Sequence, residues 1–145
     1  MADTKTLDLM TVDASLTTIY PVKLKAMCIC REKRKIGDVL GLNNFGVNLV
    51  TLKQGAASAQ RYWLSHSDEF VCLLEGKVTL ITDVGEEVLS AGKVAGFPAN
   101  EANGHHPVNK TEADVLYLEI VNRPPKDGVD YPDIDMLLRD GKFVH

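Results

Sequence analysis

Short runs of β-branched and apolar residues, each ended by glycine or another turn-forming residue, recur through the middle of the chain. Three of them follow one another closely, and one of these folds back on itself around Asp83-Val84-Gly85. Strands at spacings of roughly ten residues are typical of a β-sandwich or β-barrel rather than of alternating strands and helices. The chain is therefore predicted to be all-β, with strands in "FGVNLVTL" (45–52), "EFVCLLEG" (69–76), "KVTLITDVGEEVL" (77–89) and "DVLYLEIV" (114–121).

Only the two ends of the chain have patterns compatible with helix. The segments 6–20 and 131–145 are predicted to form either short helices or additional edge strands that cover an open sheet. At 145 residues the chain is long enough for one compact domain and short for two. We predict an N-terminal extension with edge-strand material over 1–35, a barrel over 36–125 and a C-terminal extension packed on the barrel over 126–145.

The charge balance removes several classes of function. The formal net charge is −4 and the pI is near 5.5, so no global positive field exists to attract nucleic acid or an anionic membrane. The single basic run, residues 31–35, contains an acid and is predicted to be solvated surface rather than a phosphate-binding patch. No helix-turn-helix pattern precedes the barrel, and no apolar stretch approaches the roughly 20 residues that cross a bilayer.

The N-terminus lacks the pattern of a secretory signal, which predicts a cytoplasmic protein. The three cysteines, Cys28, Cys30 and Cys72, are an odd number in a chain that is large enough to fold without disulfides. They are predicted to be reduced thiols. Cys28 and Cys30 alternate on an apolar segment, which favours small sheet residues over a soft-metal site.

One glycine-bounded segment contains Gly55, Glu69 and Gly76, and a second contains Gly92, Pro98, His105 and Asn109. These two segments resemble the two sequence motifs of the cupin superfamily. The likeness extends over about residues 36–145 and includes a 15-residue separation between the motifs, as in small single-domain members. It implies a double-stranded β-helix, that is, a cupin jelly-roll barrel, and a homodimer built on edge strands such as the segment 22–30.

The first motif departs from the family at its metal ligands. Family members bind a divalent metal through three histidines and a glutamate, and here the two histidines of the first motif are replaced by Tyr62 and Leu64. The other possible register places Arg61 and Trp63 there, and neither supplies a histidine. Only Glu69 and His105 carry over, with Tyr62 as a conceivable third ligand. No cofactor is therefore expected, although a divalent metal on Glu69, His105 and Tyr62 stays open. In the second motif, Asn100 stands where a glycine is usual.

The residues that remain predict a pocket for a small organic molecule. Side chains alternate along a strand, so Val71 and Leu73 should share the barrel lumen with Glu69, and Tyr62 should share a face with Leu64. Apolar walls with a few convergent polar groups are typical of metabolite sites. Burial should raise the pKa of the Glu69 carboxyl unless His105 or Arg61 holds it ionised. We predict three catalytic residues, Tyr62, Glu69 and His105, and five ligand-binding residues, Arg61, Leu64, Val71, Leu73 and Asn109.

These residues favour metal-independent acid–base chemistry on a small polar or sugar-like metabolite, by an enzyme of isomerase, epimerase or lyase type. Three alternatives remain open: a non-catalytic metabolite binder, a metal-dependent oxygenase or isomerase with an unusual ligand set, and a structural Glu–His pair without chemistry. Four further residues are expected outside the chemistry: His66 in an exposed turn, His106 facing away from the lumen, Trp63 at a packing surface, and Asn109 as a turn residue that sets the geometry of His105.

Overall fold

The computed structural model describes residues 6–15, 30–125, 127–133, 136–139 and 142–144. Within these residues the protein is nearly all β, with one helical turn, α1 (Ile36–Val39), and a 3-10 turn at Leu9–Thr11. The all-β prediction is therefore confirmed. The strands are β1 Ala14–Ser15, β2 Arg31–Arg34, β3 Phe45–Leu52, β4 Trp63–Leu64, β5 Glu69–Glu75, β6 Lys77–Thr82, β7 Gly85–Ser90, β8 Val94–Phe97, β9 His106–Val108, β10 Val115–Asn122, β11 Gly128–Tyr131, β12 Met136–Arg139 and β13 Lys142–Val144.

The described strands form three antiparallel sheets. A six-stranded sheet has the order β1-β2-β3-β10-β5-β8, a three-stranded sheet has the order β7-β6-β9, and a four-stranded sheet has the order β13-β12-β11-β4. The central strand β10 pairs along its whole length with β3 and along most of it with β5. Strands that are distant in sequence thus lie side by side, as in a jelly roll.

The core lies between the six-stranded and the three-stranded sheets. Directly opposed residues of an antiparallel pair have side chains on the same face, so the register identifies which residues point inward. Val50 opposes Tyr117, and Tyr117 opposes Leu73 on the other side, and all three are buried. Val78 and Leu89 close the core from the three-stranded sheet. Two sheets that enclose a common apolar layer define the barrel.

Two residues with positive φ fix the ends of the site-bearing strands. Gly76 ends β5 at φ 81°, and a Cβ there would lie 2.8 Å from the carbonyl oxygen of Asp114, so no other residue fits without a shift. Asn100 adopts φ 60°, the left-handed conformation that asparagine tolerates better than most residues. This conformation explains why an asparagine can occupy the position where the family usually has glycine.

The ends of the chain are mostly strand. Towards the C-terminus β11 pairs with both β12 and β4, so the edge-strand alternative is confirmed there and the helical one is wrong. Near the N-terminus the described residues contain the 3-10 turn and the short strand β1, while residues 16–29, including Cys28 and most of the segment 22–30, lie outside the described residues. Cys30 and Cys72 are free thiols. The division at residues 35 and 125 stays a prediction.

No helical segment of the described residues has the length and apolar character needed to cross a membrane.

Candidate functional site

Three of the predicted site residues meet inside the barrel, and we call Tyr62, Glu69 and His105 the inner cluster. The Tyr62 hydroxyl donates a hydrogen bond to Glu69 Oε2 at 2.5 Å, and Glu69 Oε1 lies 2.5 Å from His105 Nε2. Glu69 is 6% exposed and His105 is 3% exposed. Both carboxylate oxygens of Glu69 are thus engaged by short contacts in a place that water hardly reaches.

Backbone pairing holds two members of the inner cluster together. The Tyr62 N–H donates to the His105 carbonyl at 3.1 Å, and the His105 N–H donates to the Tyr62 carbonyl at 2.8 Å. The two residues therefore form an isolated antiparallel bridge between the two motif segments. Opposed residues of such a bridge project to the same side, so Tyr62 and His105 approach Glu69 together, with ring centroids 4.8 Å apart.

Two further features fix the orientation of the other groups in the inner cluster. The Phe97 ring stacks on the His105 imidazole, with centroids 3.6 Å apart and planes within 2° of parallel. Glu69 begins β5 directly after a turn that is tied down by side chains: Ser67 Oγ donates to Asp127 Oδ2 at 2.5 Å, and Asp68 Oδ1 accepts from the Ala99 N–H at 2.8 Å. These contacts restrict the rotamers of the imidazole and the carboxylate.

The barrel lumen itself has little room. The space beside the inner cluster amounts to about 20 Å³, which suits a water molecule rather than a metabolite. Val71 lines this space as predicted, whereas Leu73 packs deeper in the core at 1% exposure. Aromatic rings and apolar side chains fill most of the barrel next to the inner cluster.

A larger cleft of about 190 Å³ opens next to the inner cluster, on the side of β2. Four residues lie between the two spaces and line both: Ser58, Tyr62, Tyr117 and Glu119. The cleft carries several polar and charged groups in addition to its aromatic walls. We call it the β2 cleft, and its lining residues are Arg31, Lys33, Ser58, Ala59, Tyr62, Tyr117, Glu119, Val129 and Tyr131.

Three charged residues of the β2 cleft were missed by sequence reasoning. Arg31 is only 9% exposed and donates from Nη1 to the Ser58 carbonyl at 2.5 Å, so the prediction of solvated surface is wrong for this residue. Lys33 Nζ lies 3.6 Å from Glu119 Oε2. Glu119 was detectable as the only charged residue between Val115 and Val121, but its inward orientation depends on the register of β10.

Where the lumen space meets the β2 cleft, the surroundings favour the protonated forms of Tyr62 and Glu119. Burial, reinforced by the Glu69 charge and hydrogen bond, raises the pKa of the Tyr62 phenol well above its ordinary value. Burial also raises the pKa of the Glu119 carboxyl, with the Lys33 charge opposing this shift and the Glu69 charge adding to it. Glu119 and Tyr62 are thus groups whose protonated forms persist to higher pH than usual.

The donor atoms of the inner cluster do not fit the metal set of the family. Tetrahedral ligands at metal distances lie about 3.4 Å from one another, whereas Glu69 Oε1 and His105 Nε2 are in hydrogen-bonding contact at 2.5 Å. A phenol with a raised pKa is a poor third ligand, and Leu64 offers no donor atom. Across the described residues no group of three His, Cys, Asp or Glu side chains is arranged to hold a metal ion.

Two of the predicted ligand-binding residues lie away from both spaces. Arg61 makes ion pairs with Asp83 and Asp133 and donates to the Gly104 carbonyl at 2.9 Å, so the partner of Glu69 is His105 and not Arg61. The Arg61 hydrogen bonds lower the pKa of the Asp133 carboxyl. Asn109 is fully buried, and its Nδ2 donates to the Leu52 carbonyl at 2.9 Å, which is the turn-fixing arrangement that was also predicted for it.

The remaining candidates lie at the edge of the inner cluster or outside it. Leu64 and Trp63 both border a small hollow at the barrel mouth beside Glu69, Phe97 and His105. His66 is exposed, as expected. His106 turns away from the inner cluster and contacts the Ala59 carbonyl at 2.7 Å through Nδ1, and burial lowers its pKa.

An antiparallel jelly-roll barrel with a glutamate and a histidine meeting at its lumen is the architecture of a small cupin-type domain. The family model described as "Cupin domain" matches residues 48–121, which is half of the chain and includes Glu69 and His105. The protein belongs to the cupin family. Among curated protein sequences, no match was found.

Solved structures give the same assignment. The chain is 38% identical to a sugar phosphate isomerase of the cupin superfamily from Silicibacter pomeroyi, over 96% of this chain and 90% of that chain, with a TM-score of 0.90. It is 28% identical to a protein from Acidithiobacillus ferrooxidans that is named as a proposed sugar phosphate isomerase, over 79% and 74%, with a TM-score of 0.73. A polyketide cyclase from Streptomyces resistomycificus, 17% identical over 86% and 84% with a TM-score of 0.68, shares the fold.

Proposed function

We propose that the protein is a metal-independent acid–base enzyme of isomerase, epimerase or lyase type that acts on a small polar, sugar-like metabolite. The observation that carries this proposal is the position of Tyr62. Its ring lines both the lumen and the β2 cleft, and its hydroxyl donates to Glu69. A substrate in the cleft would therefore contact the Tyr62 phenol, whose hydrogen bonds continue through the buried Glu69 carboxylate to His105.

The inner cluster can return a proton to Tyr62 after it has been used. In this proposal the Tyr62 hydroxyl gives its proton to a substrate oxygen as charge develops there. The Glu69 carboxylate then takes the Nε2 proton of His105 on Oε1, 2.5 Å away, and after the carboxyl group has turned it gives this proton to the phenolate. Both contacts already have hydrogen-bonding length, so the exchange needs only a rotation of the Glu69 carboxyl group. The packed lumen leaves little room for water, which keeps the proton among the three residues of the inner cluster.

The similar structures support the substrate class. The Silicibacter pomeroyi protein, described as a sugar phosphate isomerase, is similar to nearly the whole of this chain, and the Acidithiobacillus ferrooxidans protein carries a related description. Isomerisation of a sugar moves a proton between carbon and oxygen positions and requires an acid and a base on opposite sides of the transfer. The arrangement of Tyr62 beside a cleft with further acid–base groups suits such a reaction.

The test is proton exchange on a panel of aldoses, ketoses and their phosphates in D2O, followed by proton NMR. We expect loss of a carbon-bound proton signal and formation of the isomer with the natural protein. His105→Asn and Tyr62→Phe should lower the rate at least about a hundredfold, as general acid–base groups do. His66→Asn, a matched change of an exposed histidine, should leave the rate unchanged.

Three results would contradict parts of the proposal. No exchange with any member of the panel would rule out a sugar-like substrate. Thermal stabilisation by a panel member without exchange would identify a non-catalytic binder. Equal rates in His105→Asn and the natural protein would rule out the inner cluster as the acid–base group.

Metal independence is tested by removing metal from the purified protein. We expect turnover to be unchanged after dialysis against a chelator, since the donor set of the inner cluster does not suit a divalent ion. Loss of activity on chelation, with recovery on adding Fe²⁺, Mn²⁺, Ni²⁺ or Zn²⁺, would instead establish a metal-dependent enzyme with a non-standard ligand set.

The cytoplasmic location and the homodimer also stay proposals, together with the absence of nucleic-acid and membrane partners. Apolar side chains on the outer face of the six-stranded sheet, such as the 40% exposed Phe70 and Leu74, support a second copy as a partner. Light scattering of the purified protein should give twice the monomer mass of 15.9 kDa. A mass equal to one chain at micromolar concentration would contradict the dimer.

A further inference from the structure

We propose that Arg31 and Lys33 form a binding site for a phosphate group in the β2 cleft, and that a bound phosphate draws Lys33 away from Glu119 so that Glu119 takes up a proton. The inference deepens the proposed function, on which its substrate rests, by placing the anionic part of the substrate and by adding Glu119 as a second proton carrier. The chemical class recognised is a dianionic tetrahedral group, here the phosphate of a small phosphorylated metabolite.

The register of the sheet brings the two cations to the inner face. Arg31 opposes Leu52 and Lys33 opposes Val50 across β2 and β3, and both of these apolar partners are in the core. The two cationic side chains therefore project over the same face as the core, at the sheet end that lines the cleft. Both side chains line the β2 cleft, where Arg31 is buried and the Lys33 side chain is 25% exposed.

The nature of the two cations suits a phosphate. The Arg31 guanidinium is oriented by its Nη1 contact with the Ser58 carbonyl at 2.5 Å. Guanidinium forks recognise phosphate oxygens well, and a nearby lysine adds a mobile point charge. The described wall of the cleft carries two cations and one carboxylate, so an anion meets net positive charge when Glu119 is protonated.

Glu119 is the group that responds to the anion. Several titratable or charged groups face it: Lys33 and Arg31 from β2, Glu69 from β5, Tyr117 from its own strand, and Tyr62 from the first motif segment. Lys33 is the main influence that keeps Glu119 ionised, since burial and the Glu69 charge act in the opposite direction. The ion pair of 3.6 Å is longer than a tight charge-assisted hydrogen bond, so Lys33 can turn to another anion at little cost.

The consequence is a link between anion binding and protonation. When a phosphate takes Lys33 and adds negative charge to the cleft, the pKa of Glu119 rises further above its ordinary range. Glu119 then binds a proton that it would not hold in the free protein at the same pH.

The test uses sulfate, a tetrahedral dianion that does not itself titrate near neutral pH. Calorimetric titration in two buffers of different ionisation enthalpy counts the protons taken up on binding. We expect binding with net proton uptake, and an affinity that falls as the pH rises above the ordinary range of a glutamate. Lys33→Met should weaken sulfate binding about tenfold or more. Lys35→Met, the same change at the exposed end of the basic run, should leave the affinity unchanged.

Glu119→Gln separates the two parts of the inference. This variant should bind sulfate at least as tightly as the natural protein and should bind it without proton uptake. Proton uptake that persists in Glu119→Gln would overturn the role of Glu119. Failure of sulfate to bind, or equal losses in Lys33→Met and Lys35→Met, would overturn the anion site. Circular dichroism spectra that match the natural protein show that the variants have folded.

The substrate part of the inference fails separately from the proposed function. Turnover of unphosphorylated sugars as fast as their phosphates, with no sulfate binding, would contradict the phosphate site and leave the acid–base enzyme intact. Sulfate binding without turnover of any sugar would support the site and contradict the enzyme. A sugar phosphate that binds more tightly than both sulfate and the free sugar identifies a phosphorylated metabolite, whereas equal affinity for inorganic phosphate identifies the free ion as the ligand.

Discussion

The inner cluster and the β2 cleft each contain a carboxylate on a central strand, but the two carboxylates have different surroundings. Glu69 has both oxygens in contacts of 2.5 Å within a space of about 20 Å³. Glu119 has a looser ion pair at 3.6 Å and faces a cleft of about 190 Å³. Glu69 is fixed by its hydrogen bonds in a space with little room, whereas Glu119 faces more room and, in our proposal, can change its partner.

The largest effect that follows from this difference is the loss of stability in Glu69→Ala. The change leaves the Tyr62 hydroxyl and the His105 ring buried without their hydrogen-bond partner, which should lower the free energy of unfolding by about 3 kcal/mol or more. Urea denaturation followed by tryptophan fluorescence measures this. A loss below about 1 kcal/mol would mean that the inner cluster is not the tightly satisfied unit that its contacts indicate.

A smaller loss is expected for Tyr62→Phe. The ring and its packing against His105 and Tyr131 are kept, and only the hydroxyl that donates to Glu69 is removed. The free energy of unfolding should fall by about 1–2 kcal/mol. Combining this change with Glu69→Ala tests the coupling directly: the double variant should lose less than the sum of the two single losses, because both changes remove the same hydrogen bond. Additive losses would contradict a shared contact.

The fold could be predicted from the sequence because its signals are local. The run 45–52 became β3 with the same bounds, and the turn after Thr82 falls where Asp83-Val84-Gly85 was predicted to fold back. The resemblance over Gly55, Glu69, Gly76 and the second motif identified the family. It also placed Glu69 and His105 together, since both are motif positions.

The β2 cleft was missed because it depends on register between distant strands. Nothing in the basic run 31–35 shows that Arg31 and Lys33 lie on the inner face; that follows from the pairing of β2 with β3. The inward orientation of Glu119 likewise depends on its position opposite Val71 of β5. Arg61 was predicted at the pocket from the alternative register of the first motif and as a possible partner of Glu69, but it pairs with Asp83 and Asp133 instead.

Glu119 should make stability fall with rising pH, and this effect is smaller than the two losses in the inner cluster. Its pKa is raised in the folded protein by burial, so its contribution to stability is present at low pH and is lost as the pH rises through the folded-state pKa. One such group changes the free energy of unfolding by at most about 1.4 kcal/mol per pH unit. Glu119→Gln should flatten this slope in denaturation series at several pH values, and Glu112→Gln, at an exposed glutamate, should not.

The smallest effect is expected for Lys33→Met at a pH low enough to keep Glu119 protonated. A partly exposed ion pair contributes about 0–1 kcal/mol, and a protonated Glu119 no longer needs a cation. At higher pH the variant should lose stability more steeply than the natural protein, because the ionised Glu119 then stays in the cleft without Lys33. Lys33→Met should therefore steepen the fall of the free energy of unfolding with pH, whereas Glu119→Gln should flatten it. In the double variant, the contribution of this pair to the pH dependence should be absent. A Lys33→Met slope equal to that of the natural protein would mean that Lys33 does not control the protonation of Glu119. The cleft would then have a larger volume than the inner cluster, but its carboxylate would not change its protonation with the position of Lys33.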